Sequence, residues 1–167
     1  MRDRAVSARD DRLRQTFDAL AAIGTRLALS VRDDANWFPV TSEGAASNEP
    51  DMMKAIDAFL QRFTQARDHV LRKLFPRLQA AISGDDELLP VRELFENLHR
   101  AGVIETVSEW RELLEVRNRL THEYAMDAIE RAATLNDAWS RAPALLTQIE
   151  RARLYAEHHK LIEGFGR

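Results

Sequence analysis

The chain has 167 residues, of which 45% are apolar and 31% charged, and it contains no cysteine. That length suits one domain able to bury a core without staples, and the missing cysteines exclude disulfides, thiolate zinc sites and a thiol nucleophile. The formal net charge of −3 excludes whole-molecule attraction to a phosphate backbone, so any nucleic-acid contact must use a local patch or a cleft.

The N-terminal Met1-Arg2-Asp3-Arg4 is charged and no apolar stretch follows it, which does not read as a secretory signal. No run of about 18 apolar residues offers a membrane span. The expectation is a cytoplasmic protein without membrane contact, in keeping with the lack of cysteine. Ala, Leu, Arg and Glu dominate, and these favour helix.

In chain order, a first helix is expected from about Arg9 to Ser30, with Phe17, Leu20, Ala21, Leu27 and Ala28 at helical spacing. Residues 31–49 read as a loop because Asp33-Asp34, Pro39, Gly44, Ser47 and Asn48 favour turns. Trp37 and Phe38 within it are suited to pinning the loop onto the bundle. Ser47 or Asn48 can cap a second helix with Pro50 in its first turn. Its apolar stripe runs through Met52, Met53, Ile56, Phe59, Leu60, Phe63, Val70, Leu71, Leu74 and Phe75. Pro76 has no amide hydrogen, so a kink or break is expected just before it, with resumption through Leu78 and Ile82 to Gly84.

A short third helix spans about Pro90 to Arg100, with Leu94, Phe95 and Leu98 inward and Ala101-Gly102 ending it. A fourth starts near Thr106 or Ser108 and turns Trp110, Leu113, Leu114, Val116 and Leu120 inward. The last segment runs from about Asp127 to Lys160, and Pro143 is expected to divide or bend it. The sequence thus predicts an all-α, up-and-down helical bundle of about four to five helices in one domain, residues 1–167.

The fourth helix carries the run Arg117-Asn118-Arg119-Leu120-Thr121-His122-Glu123-Tyr124. At about 100° per residue, Arg117 and Tyr124 nearly eclipse each other at the border of the apolar stripe. Asn118 and His122 stack one turn apart and further round, toward solvent or a partner. Imidazole moves protons near neutral pH, and guanidinium holds phosphate through parallel hydrogen bonds while staying charged. Together they can cleave RNA without a metal: His122 transfers a proton of the 2′-hydroxyl or leaving group, Arg117 stabilises charge on the phosphate, and Asn118 orients either.

Arg117-Asn118-x-x-x-His122-x-Tyr124 resembles the motif of HEPN domains, especially the HepT-like toxins encoded beside minimal nucleotidyltransferases. Trp110-Arg111-Glu112-Leu113-Leu114-Glu115-Val116 resembles the approach to that motif. In detail the likeness covers about residues 106–127, and the helical plan about 50–160. It implies a dimeric helical bundle without cofactor or metal, whose active versions are ribonucleases with Arg and His facing a cleft across the dimer. It places catalysis on Arg117 and His122, support on Asn118, and on Tyr124 a nucleotidylation by the partner enzyme that silences the toxin. Other members only bind partners or nucleotides. Glu115 and Glu123 flank the motif and put negative charge beside it.

Three readings stand: a HEPN-type ribonuclease toxin held by an antitoxin, a non-catalytic subunit for a nucleotidyltransferase, and a plain structural bundle. An ordinary ion pair would need an acid three or four residues from Arg117. Those positions hold Leu113, Leu114, Leu120 and Thr121, although another helix could supply a partner. His158-His159 are expected in solvent, since adjacent helical residues point apart. His69 and His99 are isolated. Met52-Met53 is expected in the core, and Asp33-Asp34 and Asp85-Asp86-Glu87 in solvated turns. No phosphate-cradling Gly-rich loop is present, so this chain does not read as the nucleotidyltransferase itself.

Overall fold

The structure is a computed structural model that describes residues 2–121 and 126–162, with side chains described for residues 8–120 and 126–162. Among the described residues the regular structure is entirely helical. Helix α1 spans Arg2–Asp33, followed by a 3₁₀ turn at Ala35–Trp37 and a one-turn helix α2 at Ser42–Ala45. Helix α3 is Pro50–His69, continuing through a π-helical segment at Val70–Leu74 into α4, Phe75–Ser83. Then come α5 (Val91–Arg100), α6 (Val107–Thr121) and α7 (Ala128–His158).

Burial follows the helical repeat. Leu13, Phe17, Leu20 and Leu27 of α1 join Phe59, Phe63, Val70 and Leu74 in the main core, while Ala21 and Ala28 face solvent. Ala21 and Ala28 each directly follow a core residue, Leu20 and Leu27, and so point about 100° away from the face that it buries. Phe75 meets Trp110 of α6 at 4.6 Å and Phe95 of α5 at 6.2 Å, both edge to face. These contacts tie α4, α5 and α6 together, each worth about 0.5–1.5 kcal/mol beyond the area buried. Gln148 of α7 donates to the carbonyl of Val103 at 2.8 Å, closing the connection between α5 and α6 against the long last helix.

A smaller cluster lies under residues 34–49: Val40, Ala45, Met52, Ile56, Ala132 and Leu135, with Trp37 and Phe38 packed on it. Phe38 stacks on Trp139 at 3.8 Å and meets Phe59 edge-on at 5.3 Å. Asn136 accepts from Val40 N–H at 2.7 Å and donates to Val40 C=O at 2.8 Å. The two aromatics expected to pin the loop thus lie against the bundle, although the segment also contains helical turns of its own. Met52 is core, but Met53 is 43% exposed, because consecutive helical residues point about 100° apart.

The helix ends differ from expectation in three places. The cap of α3 is Glu49, whose carboxylate accepts from the amides of Asp51 and Met52; Ser47 caps nothing in the helix but accepts from Glu49 N–H at 3.1 Å. Before Pro76 the helix does not break but passes through an irregular, π-helical segment. It widens by one residue per turn, and Phe75 N–H bonds to Val70 C=O five residues back, a register that absorbs the missing proline donor. Pro143 does not divide the last segment: α7 is continuous from Ala128 to His158 with the proline inside it. Pro143 is exposed, so the carbonyl deprived of its donor lies toward solvent. Ala138, Ala142, Leu145 and Ala152 are buried on the opposite side and hold both halves to the core.

Candidate functional site

Helix α6 is held by Trp110, Leu113 and Val116, each buried, with Leu114 and Leu120 packed partly against the core. That orientation turns Arg117, Asn118 and Arg119 outward, and all three are exposed. Of the predicted site, Arg117 and Asn118 lie together on this face. His122 and Tyr124 lie outside the described residues, as does Glu123.

The two arginines of the motif differ in their surroundings. Arg119 is paired with Asp137 of α7, and Arg141 bridges Asp137 at 2.7 Å and Glu112 of α6 at 3.0 Å. These four side chains stitch α6 to α7. Beside them lies an open groove of about 590 Å³ lined by Arg119, Met126, Glu130, Ala133, Thr134 and Asp137. Its two carboxylates outnumber its one guanidinium, so it does not suit a phosphate.

On the Arg117 side lies a buried arginine. Arg67, on the last turn of α3, is 2% exposed and ranks among the largest fully buried side chains. Its Nη2 donates to Asp68, while its Nη1 is buried with no hydrogen-bond partner. Burial lowers its proton affinity, Asp68 offsets part of that, and the positive charges of Arg117 and Arg72 lower it further. Arg117 therefore stands close enough to a buried guanidinium to repel it. The sequence reading passed over Arg67. The signal was there: it lies four residues after Phe63 and eight after Phe59, on the buried stripe, where an arginine is rarely found without a function or a partner.

The remaining histidines carry no comparable arrangement. His158 and His159 are exposed. His99 Nδ1 lies 3.3 Å from the carbonyl of Ile104, a structural contact at the end of α5. His69 is half-buried near Arg77 and Lys73, and burial first, then those cations, hold its pKa below the usual value. Asp33 pairs with Arg32, and Asp86 with Arg9 and Arg12, so both acidic turns serve surface ion pairs. Among the described residues no group of three or more His, Asp and Glu is placed to hold a metal ion, and no helix is long and apolar enough to cross a membrane. No protein family, curated protein or solved structure matches the chain.

Proposed function

We propose that the chain is a HEPN-type toxin of a toxin–antitoxin pair: a metal-independent RNA endonuclease working through Arg117 and His122, with Asn118 in support. Its antitoxin is a partner protein, for which a minimal nucleotidyltransferase is the fitting candidate. The observation that carries this reading is the spacing Arg117-Asn118-x-x-x-His122-x-Tyr124 in an all-helical bundle. The exposure of Arg117 and Asn118 supports it.

In this mechanism the 2′-oxygen attacks the adjacent phosphorus. The O2′–P bond forms and the P–O5′ bond breaks, leaving a 2′,3′-cyclic phosphate and a 5′-hydroxyl. One imidazole accepts the 2′-hydroxyl proton and another donates a proton to the departing 5′-oxygen. One chain supplies one His122, so a two-fold dimer provides the second imidazole and a second Arg117. The guanidinium offsets the charge growing on the phosphoryl oxygens. Transfer of AMP to the Tyr124 oxygen, with pyrophosphate leaving ATP, would put a phosphate beside Arg117 and compete with RNA.

His122→Ala and Arg117→Ala are each expected to abolish cleavage of RNA. Arg117→Ala should change folding stability by no more than about 0.5 kcal/mol, since the side chain is exposed. Activity should survive EDTA. Cleavage that persists in both variants, or that requires a divalent ion, refutes the mechanism. A second reading, a non-catalytic subunit for a nucleotidyltransferase, draws on the net charge of −3 and on the exposed Glu109, Glu112 and Glu115 of α6. Purified wild type that leaves RNA intact yet binds the partner favours it.

A further inference from the structure

Arg9 and Arg12 of α1 and Arg77 of α4 line one open groove of about 380 Å³, together with Asp86, Glu87 and Leu88 of the connection that follows α4. None of its lining residues belongs to α6. Arg9 Nε donates to Asp86 Oδ1 at 3.2 Å, and Arg12 Nη2 stands 3.7 Å from Asp86 Oδ2. One loop carboxylate thus sits between two guanidiniums, where a bound anion would sit. Arg9 and Arg77 are also held by groups that carry no charge. Arg9 Nη2 donates to the carbonyl of Gly84 at 3.2 Å. Arg77 Nη1 donates to the carbonyl of Arg12 at 3.1 Å and to the hydroxyl of Thr16 at 2.5 Å, and Thr16 is fully buried. Both guanidiniums therefore stay aimed at the groove when Asp86 leaves it.

Asp86 is weakly held. Its side chain is 61% exposed, it lies between α4 and α5 in a stretch without regular structure, and an exposed ion pair adds little to stability. The groove holds three guanidiniums and two carboxylates. With Asp86 turned out to solvent, the three guanidiniums are balanced by Glu87 and the roughly two negative charges of a phosphate monoester at neutral pH. The phosphate oxygens can accept from several guanidiniums at once, and the volume lies within the range of about 300–1,000 Å³ common for small-ligand sites.

We propose that this groove binds a doubly charged phosphate, as the free ion or as a monoester, and that Asp86 holds the anion's place until one arrives. The phosphate accepts from Arg9 and Arg12 where Asp86 does in its absence, and from the Nε and Nη2 groups of Arg77. The site stands on α1 and α4 and is independent of the ribonuclease reading.

The test is calorimetric titration of the full chain with AMP at low ionic strength, compared with adenosine, 3′,5′-cyclic AMP and inorganic phosphate. AMP should bind, and uncharged adenosine and the singly charged cyclic diester should each bind at least about tenfold more weakly. Arg9→Gln and Arg77→Gln should each weaken AMP binding at least about tenfold, the loss expected for one charge-assisted contact. Asp86→Asn should tighten it, and by more than Asp85→Asn. Asp85 is the control for net charge: its Oδ1 accepts from the amide of Glu87 in the same loop, and it lines no part of the groove. Inorganic phosphate bound as tightly as AMP or more so makes the free ion the ligand, AMP bound more tightly makes it a nucleotide, and either supports the site. The proposal is overturned if neither AMP nor phosphate binds at millimolar concentration, or if adenosine or cyclic AMP binds as tightly as AMP. AMP binding unchanged in both arginine variants overturns it too. Should Arg77→Gln fail to fold, Asp86→Asn decides: binding no tighter than in Asp85→Asn overturns the proposal.

Discussion

Around the exposed end of α6, surroundings determine what each arginine can do. Arg119 is committed to Asp137 and serves the α6–α7 contact. Arg117 stands on the exposed face within electrostatic reach of the buried Arg67. At the same scale His69 makes a pH prediction. Burial, then Arg77 and Lys73, lower its pKa below 6.5 in the folded protein, so the unfolded chain takes up its proton first as pH falls. Its contribution to stability is therefore complete above about pH 6.5 and is lost as pH drops through that value toward the folded pKa. The melting temperature should fall between about pH 7 and about pH 5, and His69→Gln should remove part of that fall. An identical pH slope in the variant would show that His69 is not responsible.

At the scale of elements, two helices tolerate proline by different means. Pro76 follows the wide turn of Val70–Leu74 at the start of α4, where its missing donor costs little. Pro143 sits inside α7 on its exposed side, where it costs helix stability. Pro143→Ala should stabilise the fold by about 2 kcal/mol, the helix gain less the added freedom of the unfolded chain; denaturant titration reads it, and a loss of stability would mean that the proline conformation is needed. The second element-scale prediction concerns residues 34–49. Asn136 satisfies both backbone polar groups of Val40, and Val40 is 5% exposed. Asn136→Ala should cost about 1–3 kcal/mol by leaving both groups buried and unpaired, and should expose this segment to proteolysis before the rest of the bundle. Uniform destabilisation with no early cleavage would show that the segment is not held separately.

For the whole molecule, the main core is shared by α1 and α3 through α7, so one cooperative unit is expected to unfold together. The proposed chemistry requires more than one such unit. A chain supplies one Arg117 and one His122, and two proton transfers need two imidazoles or one that shuttles. Light scattering at micromolar concentration should give twice the mass of 19.1 kDa. A monomer that cleaves RNA would refute the two-copy site while leaving Arg117 and His122 as its residues.

Helix type and the inward faces were legible in the sequence because the periodicity of apolar side chains is a local property: Leu94, Phe95 and Leu98, or Trp110, Leu113 and Val116, can bury together only as helix. The same periodicity put Arg117 at the border of the apolar stripe and Asn118 further round, and both side chains are exposed. Helix continuity was not. Local propensity favours a break at Pro143, but the buried alanines and Leu145 on the far side of α7 outweigh one lost hydrogen bond. The Glu49 cap was equally a competition between neighbours that local rules rank the other way. Arg67 shows the deeper limit. Its place on the apolar stripe is written in the spacing from Phe59 and Phe63, whereas its half-satisfied fork and its nearness to Arg117, fifty residues on, arise only when α3 and α6 pack. The sequence by itself determined which segments coil and which faces they bury, because those depend on neighbours within two turns. Only the tertiary structure decided which charges meet, because electrostatic pairing depends on distances between helices that no local pattern encodes.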